Sequence, residues 1–339
     1  MTTQFDCSIG LKKEVTYGTG LTVDKFYEFT DEDLDWDPTF IDGKGHRYGQ
    51  RLQASDRHVL TRSACGGSIT VEAMTKGMGA LFEAALGVGV STVASTTAYQ
   101  QLFTPTLQNM PSYTIQKGIP PLGGGAVQPQ TYTGMVCNGF QLSAGNGEIP
   151  TFKFDFNGKA VDTATAYTAV SYPASNQLLT FVHGTITLGG SVTVPTTTAL
   201  ATGGTVAANV RSVDFTWDNS LDSEGYNFGS AGTRGRAPVI GLRSGSGSLE
   251  VDYTDNVLRD AYLNQTEMAM VLTFKGTTAI TGAFFPTIQL CMPCIRLDGE
   301  MPKAANGDVI TQKIDFNVYD NRTAAEPLYI AVVTSETAI

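Results

Sequence analysis

Few residues in this 339-residue chain have types and spacing that could do chemistry. Cys291-Met292-Pro293-Cys294 has C-x-x-C spacing. Zinc would need two further ligands, and no second pair or nearby histidine supplies them. A redox dithiol needs a helix N-terminus to lower its thiol pKa. These two cysteines sit instead in a strand-like stretch, residues 285–297, where positions three apart point to opposite faces. They read as ordinary strand cysteines, and Cys7, Cys65 and Cys137 have no motif around them. Asp31-Glu32-Asp33-Leu34-Asp35-Trp36-Asp37 invites a calcium loop. An EF-hand requires Gly at its sixth position and Glu at its twelfth; here those are Trp36 and Asp42. The run therefore reads as a solvated acidic turn. The functional alternatives are a looser calcium site, a docking patch for arginines, or the lining of a channel. His46, His58 and His183 have no nucleophile elbow beside them. Gly123-Gly124-Gly125 and Gly245-Ser246-Gly247 match neither a P-loop nor a dinucleotide fingerprint. Carboxylate pairs can be drawn anywhere among 32 acids, so they carry no glycosidase signal. The expectation is a chain with no catalytic residue, no metal and no cofactor, and so not an enzyme.

Composition narrows the class. Lys+Arg is 22 against 32 Asp+Glu, a net charge of −10. That argues against a nucleic-acid reader, whose phosphate contacts need clustered cations. Hydrophobic residues at 42% can fill a core, and charged residues at 16% are too few for an acidic disordered chain. Five cysteines, an odd number in a long chain, read as reduced thiols and predict assembly in a cytoplasm. Met1-Thr2-Thr3-Gln4-Phe5-Asp6 has no basic and apolar leader pattern, and no apolar run is long enough to span a bilayer, so no membrane partner is expected.

The elements that must position any site are mainly β. Alternation is clear at Gly67-Ser68-Ile69-Thr70-Val71-Glu72, Thr151-Phe152-Lys153-Phe154-Asp155-Phe156 and Gly247-Ser248-Leu249-Glu250-Val251-Asp252. Two short helices are predicted, over 75–86 (stopped by Gly87) and 254–263. Each follows a Gly-Ser-apolar-X-Val-acid strand, and the two strands lie 180 residues apart. Tyr113-Thr114-Ile115-Gln116-Lys117-Gly118 resembles Val271-Leu272-Thr273-Phe274-Lys275-Gly276. The stretch from Gly147 to Asn157 resembles that from Gly307 to Asn317, and Glu28-Phe29-Thr30 resembles Asp214-Phe215-Thr216. Four segments recur in one order, which predicts a tandem duplication. The copies are 1–160 and 178–339, joined by an Ala/Thr/Ser-rich linker at 161–177. An insertion in the first copy lies within 91–112.

Each copy also has a long polar stretch before its central strand. One covers 40–62 and carries Arg47, Arg51, Arg57 and Arg62; the other covers 226–243 and carries Arg234, Arg236 and Arg243. Such stretches read either as solvated loops or as arms that order on a neighbouring acidic subunit.

The motifs resemble a known family. Gly10-Leu11-Lys12-Lys13-Glu14-Val15-Thr16-Tyr17-Gly18-Thr19 is similar to the start of many major tail (tail tube) proteins of tailed phages. Asn138-Gly139-Phe140, Lys153-Phe154-Asp155-Phe156-Asn157-Gly158-Lys159 and Asp218-Asn219-Ser220-Leu221 continue the likeness over nearly the whole chain. The resemblance implies two tandem β-sandwich or half-barrel modules, each with one short helix. It implies self-assembly into stacked rings that form a virion tail tube, assembled in the host cytoplasm. Two modules per chain predict a trimeric, pseudo-six-fold ring. The implied partners are other copies of the chain, a tape-measure protein and passing genomic DNA in the lumen, and tail terminator and tail-tip proteins. Asp31, Glu32, Asp33, Asp35, Asp37, Asp218 and Asp222 become candidates for an acidic lumen or docking surface, and the seven arginines for inter-subunit loops. The rival readings are a secretion-system tube, a tail terminator, a carbohydrate-binding β-sandwich adhesin and an enzyme.

Overall fold

The computed structural model describes residues 3–207, 209–299, 301–302 and 309–339. Met1 and Thr2 of the leader reading, and Gly307 and Asp308 of the closing repeat match, lie outside the described residues. The first half holds β1 (Ser8–Lys13), β2 (Lys25–Tyr27), β3 (Phe29–Glu32), β4 (Asp35–Asp42), β5 (His58–Glu72), α1 (Gly79–Leu86), β6 (Gly87–Ser95), β7 (Ala98–Pro105), β8 (Ser112–Ile119), β9 (Gln128–Ala144), β10 (Thr151–Gly158) and β11 (Ala160–Asp162). The second holds β12 (Gly184–Leu188), β13 (Val192–Thr193), β14 (Thr202–Gly203), β15 (Val210–Asp218), β16 (Ser244–Asp252), α2 (Val257–Leu263), β17 (Met268–Lys275), β18 (Thr287–Gly299), β19 (Thr311–Val318) and β20 (Tyr329–Thr334). The protein is mainly β, as its alternating sequence predicts.

All ladders are antiparallel. In the first half β3 and β4 both pair with β5, and the order continues β5–β10–β9–β8–β1–β2. In the second the order is β15–β16–β19–β18–β17–β12. The registers also agree. Glu72 faces Thr151 and Ser68 faces Asp155; Asp252 faces Thr311 and Ser248 faces Asp315. Trp36 stands opposite Cys65 and Trp217 opposite Gly245, positions 180 apart. This register sets Trp36, and not Phe29, in the place that matches the β15 strand.

β9 and β18 are long because each belongs to two layers. The first part of β9 pairs with β8 and the last part, from Gly139 to Ala144, pairs with β15 along the same edge. β15 thereby lies between β9 and β16. One sheet of eight strand positions runs β3/β4–β5–β10–β9–β15–β16–β19–β18 across both halves.

Alternation decides what this sheet buries. Phe152, Phe154 and Phe156 point into the core, with Ile69, Val71, Phe140, Leu142, Phe215, Trp217, Leu249, Ile314 and Phe316 on the same side. Phe82 of α1 contacts Phe103, Phe152 and Phe154 with ring centroids 5.9, 5.2 and 6.0 Å away. Phe140 meets Phe215 edge-on at 5.8 Å, and Phe215 stacks on Phe316 at 6.2 Å. Tilted and edge-on aromatic pairs add about 0.5–1.5 kcal/mol each beyond their burial. This aromatic line ties the core of one half to that of the other.

Several expectations change. The first helix starts at Gly79, four residues later than predicted, because Thr75 is held by backbone bonding to Gln177 and Met74 bridges Leu178. Gly87 at φ 95° ends it as expected. The second helix starts at Val257, whose N–H is accepted by Asp255. The insertion region is an ordered hairpin, β6–β7, and β7 pairs with β20. The segment at 163–177 has no strand or helix but is fastened to the first half: Gln116 bonds Ala166 and Thr168, and Asn176 bonds Thr75 and Lys76. The acidic run is not a turn. It forms β3 and β4, an edge of the large sheet, where charge on one face discourages indiscriminate edge pairing.

Candidate functional site

The face of the large sheet opposite the aromatic core is polar, and cross-strand register identifies its members. One row runs Asp31, Thr70, Lys153, Gln141, Thr216, Ser246, Asn317 and Arg296. The next runs Glu72, Thr151, Ser143, Asp214, Ser248, Asp315 and Asp298. A third holds Ser68, Asp155, Gly139, Asp218 and Ser244, with Asp33 bonded to the Ser68 N–H. Asp35 and Asp37 face Gly66 and Ala64, and Glu250 and Asp252 face Lys313 and Thr311. Acids on this face outnumber its bases, which are Lys153, Lys313, Arg296, Arg62 (opposite Thr39) and Arg211, the last paired with Asp252 at 2.6 Å.

Partial burial on this face moves a carboxyl. Asp155 is held above the usual carboxylate range by half-burial, with Asp33 and Asp218 adding to the rise against Lys153. Asp33 is held low by the Ser68 N–H it accepts. Because the raised pKa belongs to the folded state, ionised Asp155 penalises folding at neutral pH. The penalty fades as pH falls through that raised pKa toward the unfolded value near 4. Asp155→Asn should therefore raise Tm at pH 7. The difference from wild type should shrink on acidification. Thermal melts at pH 7 and pH 4 check this, and a lower Tm at pH 7 would contradict it.

The candidate acids divide. Asp31, Asp33, Asp35, Asp37 and Asp218 lie on the acidic face. Glu32 does not; it points to the other side and pairs with Lys117 at 2.6 Å, both side chains mostly buried. Asp222 holds the 226–243 loop, bonding Arg236 at 2.5 Å and the Val239 N–H at 2.7 Å, and its carboxyl is held low by that arginine. The acids at Asp155, Asp214, Glu250, Asp298 and Asp315 are not part of any acidic run. Their signal was the alternation itself, since every second residue beside a buried Phe or Leu must face outward.

The two arginine stretches also differ. β4 and β5 extend as an exposed hairpin to Asp42 and His58, so only 43–57 is loop. Arg47, Arg51 and Arg57 line an open hollow of that loop. Phe40, Ile41, Val59 and Leu60 on the hairpin are 43%, 54%, 48% and 46% exposed, an unusual amount of uncovered apolar strand. The 226–243 loop instead docks on the base of this hairpin. The Ser63 N–H bonds Gly232 at 2.8 Å, and Arg62 and Arg234 lie 4.2 and 5.6 Å from the Tyr226 ring centroid. Arg62 also reaches Glu224 at 3.4 Å. Arg243 bonds Asn219 at 2.9 Å.

Two buried polar residues from the motifs do structural work. Glu14 accepts four bonds: from the N–H groups of Gly18 and Gly134, both 2.8 Å, and from the hydroxyls of Ser112 and Thr114 at 2.7 and 3.0 Å. Asn219, fully buried, donates to the carbonyls of Ala85 and Cys137 and accepts from Trp217.

The C-x-x-C pair is not an activated dithiol. Burial pushes the Cys291 thiol up to about 12 and raises Cys294, the opposite of an activated dithiol. Among the described residues no group of His, Cys, Asp and Glu is placed to hold a metal, and no helix is long and apolar enough to cross a membrane.

A family model described as phage tail tube protein matches residues 4–318. The chain belongs to the phage tail tube family. No curated protein matches it in sequence. Members of this family are structural components of the virion tail, built as a tube with other tail proteins. The match spans both strand arrays and the joint between them, so the acidic face and the arginine loops both belong to a tube subunit.

Proposed function

We propose that three copies of this chain close into a ring and that rings stack into a tail tube, a negatively lined conduit for DNA ejection. In this reading the chain is two modules, 1–160 and 178–339, each contributing half of the eight-position sheet. The observation that carries it is the repeated strand order and register of the two halves, joined side by side by β9 and β15. Three chains supply 24 strand positions. At about 4.8 Å per strand the circumference is about 115 Å and the backbone diameter about 37 Å, more with tilt. Duplex DNA fits inside once inward side chains are subtracted.

The acidic face supports its assignment as the lumen. Phosphate passing a wall rich in carboxylates finds few cations to exchange for its counterions and is repelled. A tape-measure protein would fill the same bore before DNA, and terminator and tip proteins would meet the end rings. Assembly takes place in the host cytoplasm in this reading. The exposed β4–β5 hairpin and its loop, with Arg47, Arg51 and Arg57, reach to a neighbouring subunit or ring. The docking of the 226–243 loop on Arg62 and Ser63 within one chain supports such a contact.

Negative-stain images of purified protein test the reading. Hollow tubes with three chains per ring are expected; solid fibres or isolated monomers at high concentration overturn it. Deleting residues 43–57 should leave folded monomers with unchanged circular dichroism that no longer form tubes. Normal tubes from that variant would remove the arm from the mechanism.

A further inference from the structure

Resting on the tube reading, we propose the seam by which one copy joins the next: the free edge of β18 pairs with the free edge of β3–β4 of a second copy, with Asp298 opposite Asp37. The template lies inside the chain. β9 is paired on one side by β10 and on the other, over 139–144, by β15. β18 is its counterpart, paired by β19 from Ile295 to Gly299 and by β17 only as far as Ile295. The side chain of Gln265 covers the Leu297 carbonyl; beyond it, at Asp298 and Gly299, no strand among the described residues lies beside this side of β18. At the other end of the sheet β15 has two neighbours, β9 and β16, whereas β3 and β4 have one, β5. Among the described residues the sheet therefore ends in two open edges that match the two edges already joined at its centre.

The register follows residue by residue. Gly139 faces Asp155 on one side and Asp218 on the other. Asp298 faces Asp315, the residue that corresponds to Asp155. Asp37 faces Ala64 as Asp218 faces Ser244. Copying the central joint onto the ends puts Asp298 opposite Asp37 and Gly299 opposite Trp36 of the next copy. Burial agrees with the vacancy. Trp217, covered at the central joint, is 3% exposed, and its counterpart Trp36 is 43% exposed. Leu142 is 1% exposed, and Met301, just past β18, is 46% exposed. A second copy covers both uncovered side chains and removes two unpaired edges at once. The seam also sets two aspartates face to face, so closure should strengthen with added salt.

Paired cysteines test the register. Directly opposed strand residues have Cα atoms about 4.5–5.5 Å apart, within disulfide reach, and a displacement of two residues takes them to about 7–8 Å, beyond it. Oxidised tubes of the Asp37→Cys/Asp298→Cys variant should run as covalent trimers on a denaturing gel. The displaced Asp35→Cys/Asp298→Cys variant and the wild type should run as single chains. In a Trp217→Phe background, emission from Trp36 should shift to the blue on assembly. Tubes that form without the cross-link, or that cross-link equally in the displaced variant, overturn the seam and leave the tube reading intact. An unshifted Trp36 emission in assembled tubes also overturns it. A wild-type chain that stays monomeric overturns the tube reading and the seam together.

Discussion

Replacing Glu14 with alanine is expected to cost about 4 kcal/mol of stability. Hydrogen bonds to a charged partner contribute about 1.5–3 kcal/mol each, and Glu14 receives four from three separate segments. Gly18 closes the turn after β1, Ser112 and Thr114 belong to β8, and Gly134 lies in β9. Removing the carboxylate orphans the buried Gly134 N–H and the half-buried Gly18 N–H, while the two hydroxyls can turn toward other acceptors. The loss is therefore nearer two such bonds than four. Glu14→Gln keeps one acceptor oxygen and turns the other into a donor, so it should fall between wild type and alanine. Urea denaturation followed by circular dichroism measures both. An alanine variant within 1 kcal/mol of wild type would mean that water replaces the carboxylate.

Gly139→Ala should cost about 3 kcal/mol, the upper end for forcing extra volume into a packed site. A Cβ at this position would stand 2.0 Å from the Trp217 carbonyl oxygen and 3.1 Å from the Asp218 Cα. Both obstacles are backbone, so no side-chain rotation relieves them, and the β9–β15 ladder must open. The damage falls on the joint between the halves, so Trp217 emission should move to the red. Gly123→Ala, with nothing within 4 Å of its added Cβ, is the control and should stay within about 0.5 kcal/mol of wild type. Equal effects at the two glycines would show that the joint tolerates a wider spacing.

The sequence spoke most clearly where one face of a strand is buried. The alternation of Phe152, Phe154 and Phe156 foretold both the core and the outward Lys153 and Asp155, and Gly87 foretold the end of α1. The acidic run misled because five acids in seven residues look like a turn. In the fold Glu32, Leu34 and Trp36 point to the core side and Asp31, Asp33, Asp35 and Asp37 occupy the free face of an edge strand. Segment likeness placed Phe29 against Phe215, yet backbone register puts Trp36 against Trp217, because likeness over three residues is a weaker guide than a ladder of hydrogen bonds. The partners of Glu14 and Asn219 were hidden for another reason: they come from segments far apart in the chain. No local pattern can show that Asn219 bonds the end of α1, 134 residues before it. The bridging of β7 to β20 was hidden in the same way.

That last pairing has a consequence for how the protein is made. Phe103 on β7 waits for Ile330 on β20, which leaves the ribosome 227 residues later. At about 5–20 residues per second, the delay is about 11–45 s. During that time the edge of β7 lies open, and Gln101, whose side chain later bonds Ala338, has no such partner. Newly made chains therefore pass through a vulnerable period during translation, and slowing elongation should increase the fraction that aggregates.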